Sequence, residues 1–327
     1  MFPVVTQVES VHPLAEGILG LRLAASGLPP FEAGAHVDLH LGNGLARSYS
    51  LINPLDAEGG ACPAHYDLAI GLAADSRGGS AWLHKALWPG MTLAVSAPRN
   101  HFALDDSMRP VLLVAGGIGV TPIRAMVQVC ERRGRPWRLV YAARSRRHAA
   151  FVDEFLALDR DGRVQLHFDD EQGGRPLDID ALRGGIGPGS ELYCCGPGAL
   201  MTAVRERLSD SGATLHFEWF AAAPKDDATA AADPAAPAPE GFELVLARSG
   251  QRLPVPAGTS VLDALESVGI VVASVCKEGV CGTCECRVVS GAIDHRCRVL
   301  TPDERARQDT MMVCVSRAAG PELVLDL

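Results

Sequence analysis

The chain has 327 residues and a formal charge of −9, with 47% hydrophobic and 21% charged residues, a balance that suits two or three globular domains of roughly 100–150 residues. The negative charge argues against nucleic acid as a partner, and no apolar run approaches the ~20 residues that cross a bilayer. Met1-Phe-Pro-Val-Val-Thr6 lacks the basic and apolar segments of a signal peptide, so the ten cysteines are expected to be reduced, metal-binding thiols of a cytoplasmic protein rather than disulfides.

Residues 1–103 read as β-rich. Short runs at Val4–Val8, Ile18–Leu23, Ala35–Leu41, Tyr66–Leu72 and Met91–Ser96 are separated by Gly, Pro and Asn turns, the pattern of a small antiparallel barrel. Two polar motifs interrupt it. Arg47-Ser48-Tyr49-Ser50 sets an arginine fork, an aromatic ring and two hydroxyls on one strand, a set that can hold a phosphate and pack on a flat cofactor. Alone it is weak, because such a run also occurs on ordinary strand surfaces. Arg77-Gly78-Gly79-Ser80 opens a helical run through Trp88 with Ser80 near the N-cap, and glycines with an adjacent arginine at a helix start make a phosphate seat. A plain capped turn is the competing reading. Together the two motifs favour a flavin mononucleotide (FMN) site.

From residue 104 to 220 the pattern becomes α/β. Val111–Ala115 is a continuous apolar run, as a buried parallel strand requires. It leads into Gly116-Gly117-Ile118-Gly119-Val120-Thr121-Pro122 and a helix through Cys130, where glycines let the backbone approach a pyrophosphate and Pro122 suits the first turn. The run is not G-x-G-x-x-G, so that fingerprint does not apply. Further strands are expected at Trp137–Ala142, Val164–Phe168 and Glu191–Cys195, with helices at about Ala150–Leu158 and Ala199–Ser209. The last of these strands ends in Cys195-Gly196-Pro197. Both glycine-rich loops follow strand ends, where open α/β sheets bind ligands, and form one candidate dinucleotide cleft. Arg144, Arg146 and Arg147 follow the second strand and could take a ribose 2′-phosphate, although a solvated basic loop is the preferred reading.

Residues 221–239 hold ten Ala and four Pro with no large apolar side chain, the composition of a semi-rigid linker. Residues 240–327 then give a hairpin at Phe242–Ala247 and Gln251–Val255, a helix near Ser260–Val268, a strand at Arg287–Val289 and a closing strand near Glu322–Leu325, an order that a small β-grasp fold accommodates. Within them Cys276, Cys281 and Cys284 follow C-x4-C-x2-C, and Cys314 lies 29 intervening residues further on. That is the plant-type spacing for a [2Fe–2S] cluster. A structural zinc site would also use four cysteines, but it pairs C-x2-C with a second C-x2-C or with histidines, and neither occurs here. Gly279 and Gly282 remove side chains where the loop must turn tightly around the cluster. Cys286 and Cys297 fall off the ligand pattern and read as small apolar residues. The histidines, His36 and His101 included, lack ligand spacing and read as structural or solvent-facing.

With these motifs in place the chain resembles the phthalate dioxygenase reductase family, which includes reductases of vanillate O-demethylases. The resemblance rests on the motifs above together with Ala69-Ile70-Gly71, Ala97-Pro-Arg-Asn100, Phe217-Glu-Trp-Phe220, Asp294-His-Arg296 and Met311–Arg317, in the family's order over nearly the whole length. It implies a multidomain β + α/β + α+β chain: an antiparallel flavin-binding barrel (1–103), a parallel-sheet NAD-binding domain (104–220), the linker (221–239) and a C-terminal β-grasp ferredoxin (240–327). By resemblance, FMN is held by Arg47, Ser48, Tyr49, Ser50, Ala69, Ile70, Gly71, Arg77, Gly78, Gly79 and Ser80, with Ser50 near the reactive N5 edge. NADH is held by Gly116, Gly117, Ile118, Gly119, Thr121, Pro122, Arg144, Cys195, Gly196 and Pro197. Ser50, Thr121 and Cys195 face the hydride-transfer region, and Phe220 shields the flavin. Cys297 stands where relatives carry an acidic residue. The implied role is an NADH-dependent reductase, expected to act as a monomer, that passes single electrons through FMN and [2Fe–2S] to a Rieske-type oxygenase of aromatic catabolism. A reductase serving a diiron hydroxylase is the alternative enzyme, although such relatives place the ferredoxin first and use FAD. A binding protein on an inactive scaffold is opposed by the intact motifs.

Overall fold

Alternation of apolar and polar residues drives the first part of the chain into strands, whose side chains point to opposite faces in turn. The computed structural model describes residues 3–55, 60, 61, 63–73, 76–221 and 241–327. Contacts gather it into two units, Met1–Phe220 and Ala221–Leu327. Apart from Ala221, the Ala/Pro-rich stretch 221–239 lies outside the described residues.

The first unit begins with β1 (Val4–Ala15), β2 (Ile18–Ala24), β3 (Phe31–Glu32), β4 (His36–His40), β5 (Ala46–Ser50), β6 (Gly60–Ala61), β7 (His65–Gly71), α1 (Gly79–Ala86) and β8 (Thr92–Val95). Six of these strands pair antiparallel in the order β5-β4-β8-β1-β2-β7. Gly17, at φ 73°, makes the two-residue turn that joins β1 to β2, a conformation that costs glycine nothing. A bridge between Leu51, just after β5, and Leu68 in β7 brings the two edge strands together. Val37, Leu39, Leu68 and Ile70 have no exposed surface and form the inner face.

The helix after β7 differs from expectation. Gly78, left-handed at φ 85°, occupies the N-cap and Ser80 lies inside the first turn. The helix also stops at Ala86. Trp88 precedes Pro89, and the residue before proline is pushed out of helical conformation.

A second sheet follows, built from β9 (Val111–Gly116), α2 (Val120–Arg133), β10 (Trp137–Ala143), α3 (Val152–Ala157), β11 (Val164–Phe168), β12 (Glu191–Cys195), α4 (Gly198–Leu208) and β13 (Thr214–Glu218). All five strands are parallel, in the order β11-β10-β9-β12-β13. Every residue of β9 is buried, as a central strand covered on both faces requires. The chain winds outwards from β9 through β10 and β11, then returns to the other side of β9. The switch point therefore lies between β9 and β12. The strand β13 extends the sheet beyond the expected four strands, and α3 is shorter than expected because Phe151 takes a left-handed φ of 63° at its entry.

The second unit comprises β14 (Gly241–Leu246), β15 (Arg252–Pro256), α5 (Val261–Ser267), β16 (Glu285–Ser290), β17 (Ile293–Asp294), α6 (Pro302–Arg307), β18 (Thr310–Met312), β19 (Arg317–Ala318) and β20 (Glu322–Leu325). Its main sheet runs β15-β14-β20-β16-β18, with β14 and β20 parallel and the other pairs antiparallel. Ser260 caps α5 by accepting the Asp263 N–H at 3.0 Å, and Thr301 with Glu304 forms a capping box on α6, each satisfying orphan donors of a helix start. Among the described residues no helix is long and apolar enough to cross a membrane.

Leu113 sits fully buried in the centre of β9, paired with Leu139 and Tyr193. Leu113→Ala is expected to lower stability by about 2–5 kcal/mol through lost burial and the cavity left behind, read by urea unfolding. Leu156→Ala, at a residue 42% exposed, should stay within about 0.5 kcal/mol of the parent. Equal losses in the two variants would contradict this placement of the core.

Candidate functional site

Arg47, Ser48, Tyr49 and Ser50 occupy β5. Ser48 donates to Asp38 Oδ1 at 2.7 Å, and Asp38 is paired with Arg99 at 2.5 Å, so Ser48 ties β5 to its neighbour. Burial pushes the Tyr49 phenol above its ordinary value, opposed by the Arg47 charge; the ring is a neutral, apolar surface. Ser50 is 3% exposed and its Oγ is buried without a partner. A buried hydroxyl left unpaired is costly, and a ligand atom at this strand end would satisfy it.

Arg47 reaches across to α1. Its Nη2 donates to the Arg77 carbonyl at 3.0 Å, and a Cβ placed on Gly79 would lie 2.6 Å from Arg47 Cγ. The guanidinium stem thus crosses the first turn of α1 in space that only glycine leaves open. The free N–H groups of a helix start beside a guanidinium form an anion seat. Ser80 Oγ bonds to Ser76 Oγ at 3.0 Å and accepts the Ala73 N–H at 3.3 Å, which folds the preceding segment onto the helix start. Ala69 and Ile70 are buried in β7. At the end of that strand, a Cβ on Gly71 would stand 3.2 Å from Ile118 Cγ1, so this half of the site abuts the loop after β9.

That loop, Gly117–Gly119, is a single 3-10 turn leading into α2, with Pro122 near the helix start. A Cβ on Gly119 would lie 2.3 Å from the Cys195 carbonyl oxygen, and one on Gly196 would lie 2.9 Å from Gly116 Cα. The ends of β9 and β12 therefore meet backbone to backbone at the switch point, where such sheets take ligands. Thr121, 2% exposed, donates to the Ile118 carbonyl at 2.9 Å. Pro197 caps α4. Burial holds the Cys195 thiol neutral, reinforced by the nearby Glu218, so it offers a small polarizable surface and not a thiolate. Arg146 stacks on Phe168 at 5.0 Å and Arg147 reaches Glu16 at 3.3 Å. Arg144 is exposed beyond β10, and Phe220, 43% exposed, follows β13.

Two residues were not anticipated from the sequence as members of this region. Glu218, at the end of β13, lies 3.7 Å from His36 Nδ1, and its Oε2 is buried without a partner. The alternation in Thr214-Leu-His-Phe-Glu218 signals a half-buried strand, which would have carried Glu218 to the same sheet edge as Cys195.

In the second unit Cys281, Cys284 and Cys314 are buried and Cys276 is half-buried. The four sulfurs neighbour one another, Cys276 beside Cys281 and Cys314, and Cys314 beside Cys284. Those contacts, led by Cys281 and then Cys314 and aided by the N–H groups of Glu278 and Val280, hold the Cys276 thiol far below its ordinary value. Gly279 and Gly282 are left-handed, at φ 70° and 75°, and a Cβ on Gly279 would strike Val315 at 2.5 Å. Among the described residues no three Cys, His, Asp or Glu side chains are arranged to hold a single metal ion. Four soft thiols strung in pairs, with N–H donors on sulfur, suit a cluster that presents two irons. Cys286 and Cys297 are buried nearby, and burial pushes the Cys286 thiol up to about 12. The nine cysteines of the described residues are all free.

Residues 244–319 match the family described as a 2Fe-2S iron-sulfur cluster binding domain, and residues 113–206 match the oxidoreductase NAD-binding domain. Phenoxybenzoate dioxygenase subunit beta of Ectopseudomonas oleovorans is 43% identical, over 100% of this chain and 98% of the relative. The solved structure of phthalate dioxygenase reductase, described as modular for electron transfer from pyridine nucleotides to [2Fe-2S], is 35% identical with a TM-score of 0.67, covering 99% of this chain and 98% of that one. An intact type IV self-sufficient cytochrome P450 monooxygenase is 37% identical with a TM-score of 0.87; 99% of this chain is covered, but it spans 41% of that longer protein.

Gly119→Ala is expected to destabilise the first unit by about 1–3 kcal/mol, because its Cβ meets backbone that cannot move aside. Gly184→Ala, where nothing lies within 4 Å, should be nearly neutral. Thermal unfolding of the two variants measures the difference, and an unchanged Gly119→Ala protein would contradict the close approach of β9 and β12.

Proposed function

This chain belongs to the phthalate dioxygenase reductase family, and from that premise we propose that it is an NADH-dependent reductase that delivers electrons through FMN and a [2Fe–2S] cluster to a Rieske-type oxygenase acting on an aromatic compound. The observation that carries the reading is the connected set of four cysteine sulfurs, in a chain that also holds the Arg47–Ser50 strand and the glycine-lined switch point. When bound, FMN supplies the conversion between a two-electron hydride donor and a one-electron acceptor; the remaining work is positional.

Arg47 and the start of α1 at Gly78, Gly79 and Ser80 hold the flavin phosphate, with Arg77 beside them. Tyr49 offers the flat, neutral surface for the ring, and Ser50 offers the hydroxyl that lacks a partner. Ala69, Ile70 and Gly71 border the ring edge, Ser48 steadies β5 through Asp38, and Phe220 is free to cover the ring. On the nucleotide side Gly116–Pro122 and Cys195-Gly196-Pro197 form the floor, with Thr121 and the neutral Cys195 thiol against the nicotinamide. No general base is needed for hydride transfer, in keeping with a thiol held neutral. Two of the three arginines after β10 are already engaged, Arg146 on Phe168 and Arg147 on Glu16. That leaves Arg144 for the ribose, and NADH is taken as the donor from the family. Cys276, Cys281, Cys284 and Cys314 hold the cluster.

We divide the chain to match: a flavin-binding region at 1–103, whose Leu51–Leu68 bridge supports closure into a barrel, a nucleotide-binding region at 104–220, the linker 221–239, and a β-grasp ferredoxin at 240–327, whose mixed sheet and single α5 crossover support that fold. The chain acts as a monomer in the cytoplasm and meets the oxygenase as a separate protein.

Anaerobic NADH is expected to bleach the flavin of both the parent and a Cys281→Ser variant. The variant should lose most of the NADH-dependent reduction of cytochrome c. Undiminished cytochrome c reduction would remove the cluster as the exit for electrons, and equal turnover with NADPH would contradict the choice of nucleotide.

A further inference from the structure

We infer that His36 and Glu218 form a latch that sets the flavin side and the nicotinamide side of the hydride-transfer site against each other, and that the latch is tight only while His36 is protonated. This rests on the function proposed above, because the latch matters only if Ser50 faces flavin and Cys195 faces nicotinamide.

The geometry runs through two cross-strand neighbours. His36 opens β4 and is the Cα partner of Ser50 in β5. Glu218 closes β13 and is the Cα partner of Cys195 in β12. His36 Nδ1 stands 3.7 Å from Glu218 Oε1, with the two side chains only 6% and 10% exposed. The contact therefore joins the strand end that carries Ser50 to the strand end that carries Cys195, across two separate sheets. Withdrawn from water, such a pair is screened far less than a surface ion pair, and losing one charge leaves the other uncompensated.

The surrounding groups leave Glu218 as the carboxylate that answers His36. Along β4, Asp38 is committed to Arg99 at 2.5 Å and to Ser48 at 2.7 Å. Arg99, from the segment after β8, also exchanges both main-chain hydrogen bonds with His36, at 2.9 and 3.0 Å. The His101 ring, from the same segment, lies 6.2 Å from the His36 ring, so a charge there opposes one on His36. From β12, the Cys195 thiol is held neutral. His36 and Glu218 act through the placement of Ser50 and Cys195 and are positioning residues.

The direction follows from the charges. A protonated imidazole facing a carboxylate draws the two strand ends together. A neutral imidazole weakens the tie, and hydride transfer slows.

The test uses the flavin-loaded full chain, mixed anaerobically with NADH in a stopped-flow instrument from about pH 5.5 to about pH 8.5, on either side of the histidine range. The parent bleaching rate constant should fall about fivefold or more across that range, a coupling of ordinary size. His36→Gln and Glu218→Gln should each flatten the profile, and the double variant should do no more than either alone. A thermal unfolding midpoint for each variant separates misfolding from lost coupling; if one variant fails to fold, the other reads the same limb. Bleaching with a flat parent profile, or single-variant effects that multiply in the double variant, overturns the latch alone. No bleaching of the parent at any pH overturns the underlying function and the latch with it.

Discussion

Two backbone segments meet at the ends of β9 and β12 because no side chain stands between them. The Cβ positions of Gly119 and Gly196 are taken up by the Cys195 carbonyl and the Gly116 backbone. This approach fixes the strand ends at the switch point, beside which Thr121 and Cys195 lie. The flavin-side sheet is tied to that region at several points. Gly71 packs on Ile118, His36 faces Glu218, and Arg124 of α2 bonds both Glu154 and the Ile52 carbonyl.

The second unit solves a different problem, that of gathering four thiols from two stretches of chain. The loop 276–286 provides three and the residue two beyond β18 provides the fourth. Main-chain bonds hold the stretches together: the Val313 N–H donates to the Cys284 carbonyl at 3.2 Å, and the Leu262 N–H at the start of α5 donates to the Val313 carbonyl at 3.0 Å. Gly279 packs against Val315 and Cys297, which leaves no space for a side chain within the loop. Burial and N–H donors on sulfur are the means by which such a protein sets the potential of its cluster.

The legible parts of the sequence were those with a strong local cause. The run Val111–Ala115 could only be a strand covered on both faces, and the cysteine spacing points to four neighbouring sulfurs. The failures had local and long-range origins. The helix α1 ends at Ala86, short of Trp88, because Pro89 pushes the residue before it out of helical conformation. β13 was missed because Thr214–Glu218 is short and half-exposed, and its place in the sheet depends on β12. Glu218 lies in a matched motif and His36 in none; what brings them together is the packing of two sheets, which no spacing in the chain records.

The central claim is that one chain accepts hydride and releases single electrons through its own cluster. Anaerobic titration with NADH, followed by absorbance and electron paramagnetic resonance, tests it most directly. Full reduction should take up about three electrons per chain, two on flavin and one on the cluster, and so about 1.5 equivalents of NADH, with a reduced iron–sulfur signal that is absent from a Cys314→Ser variant. A chain that stops at about one equivalent and never develops that signal would contradict the account.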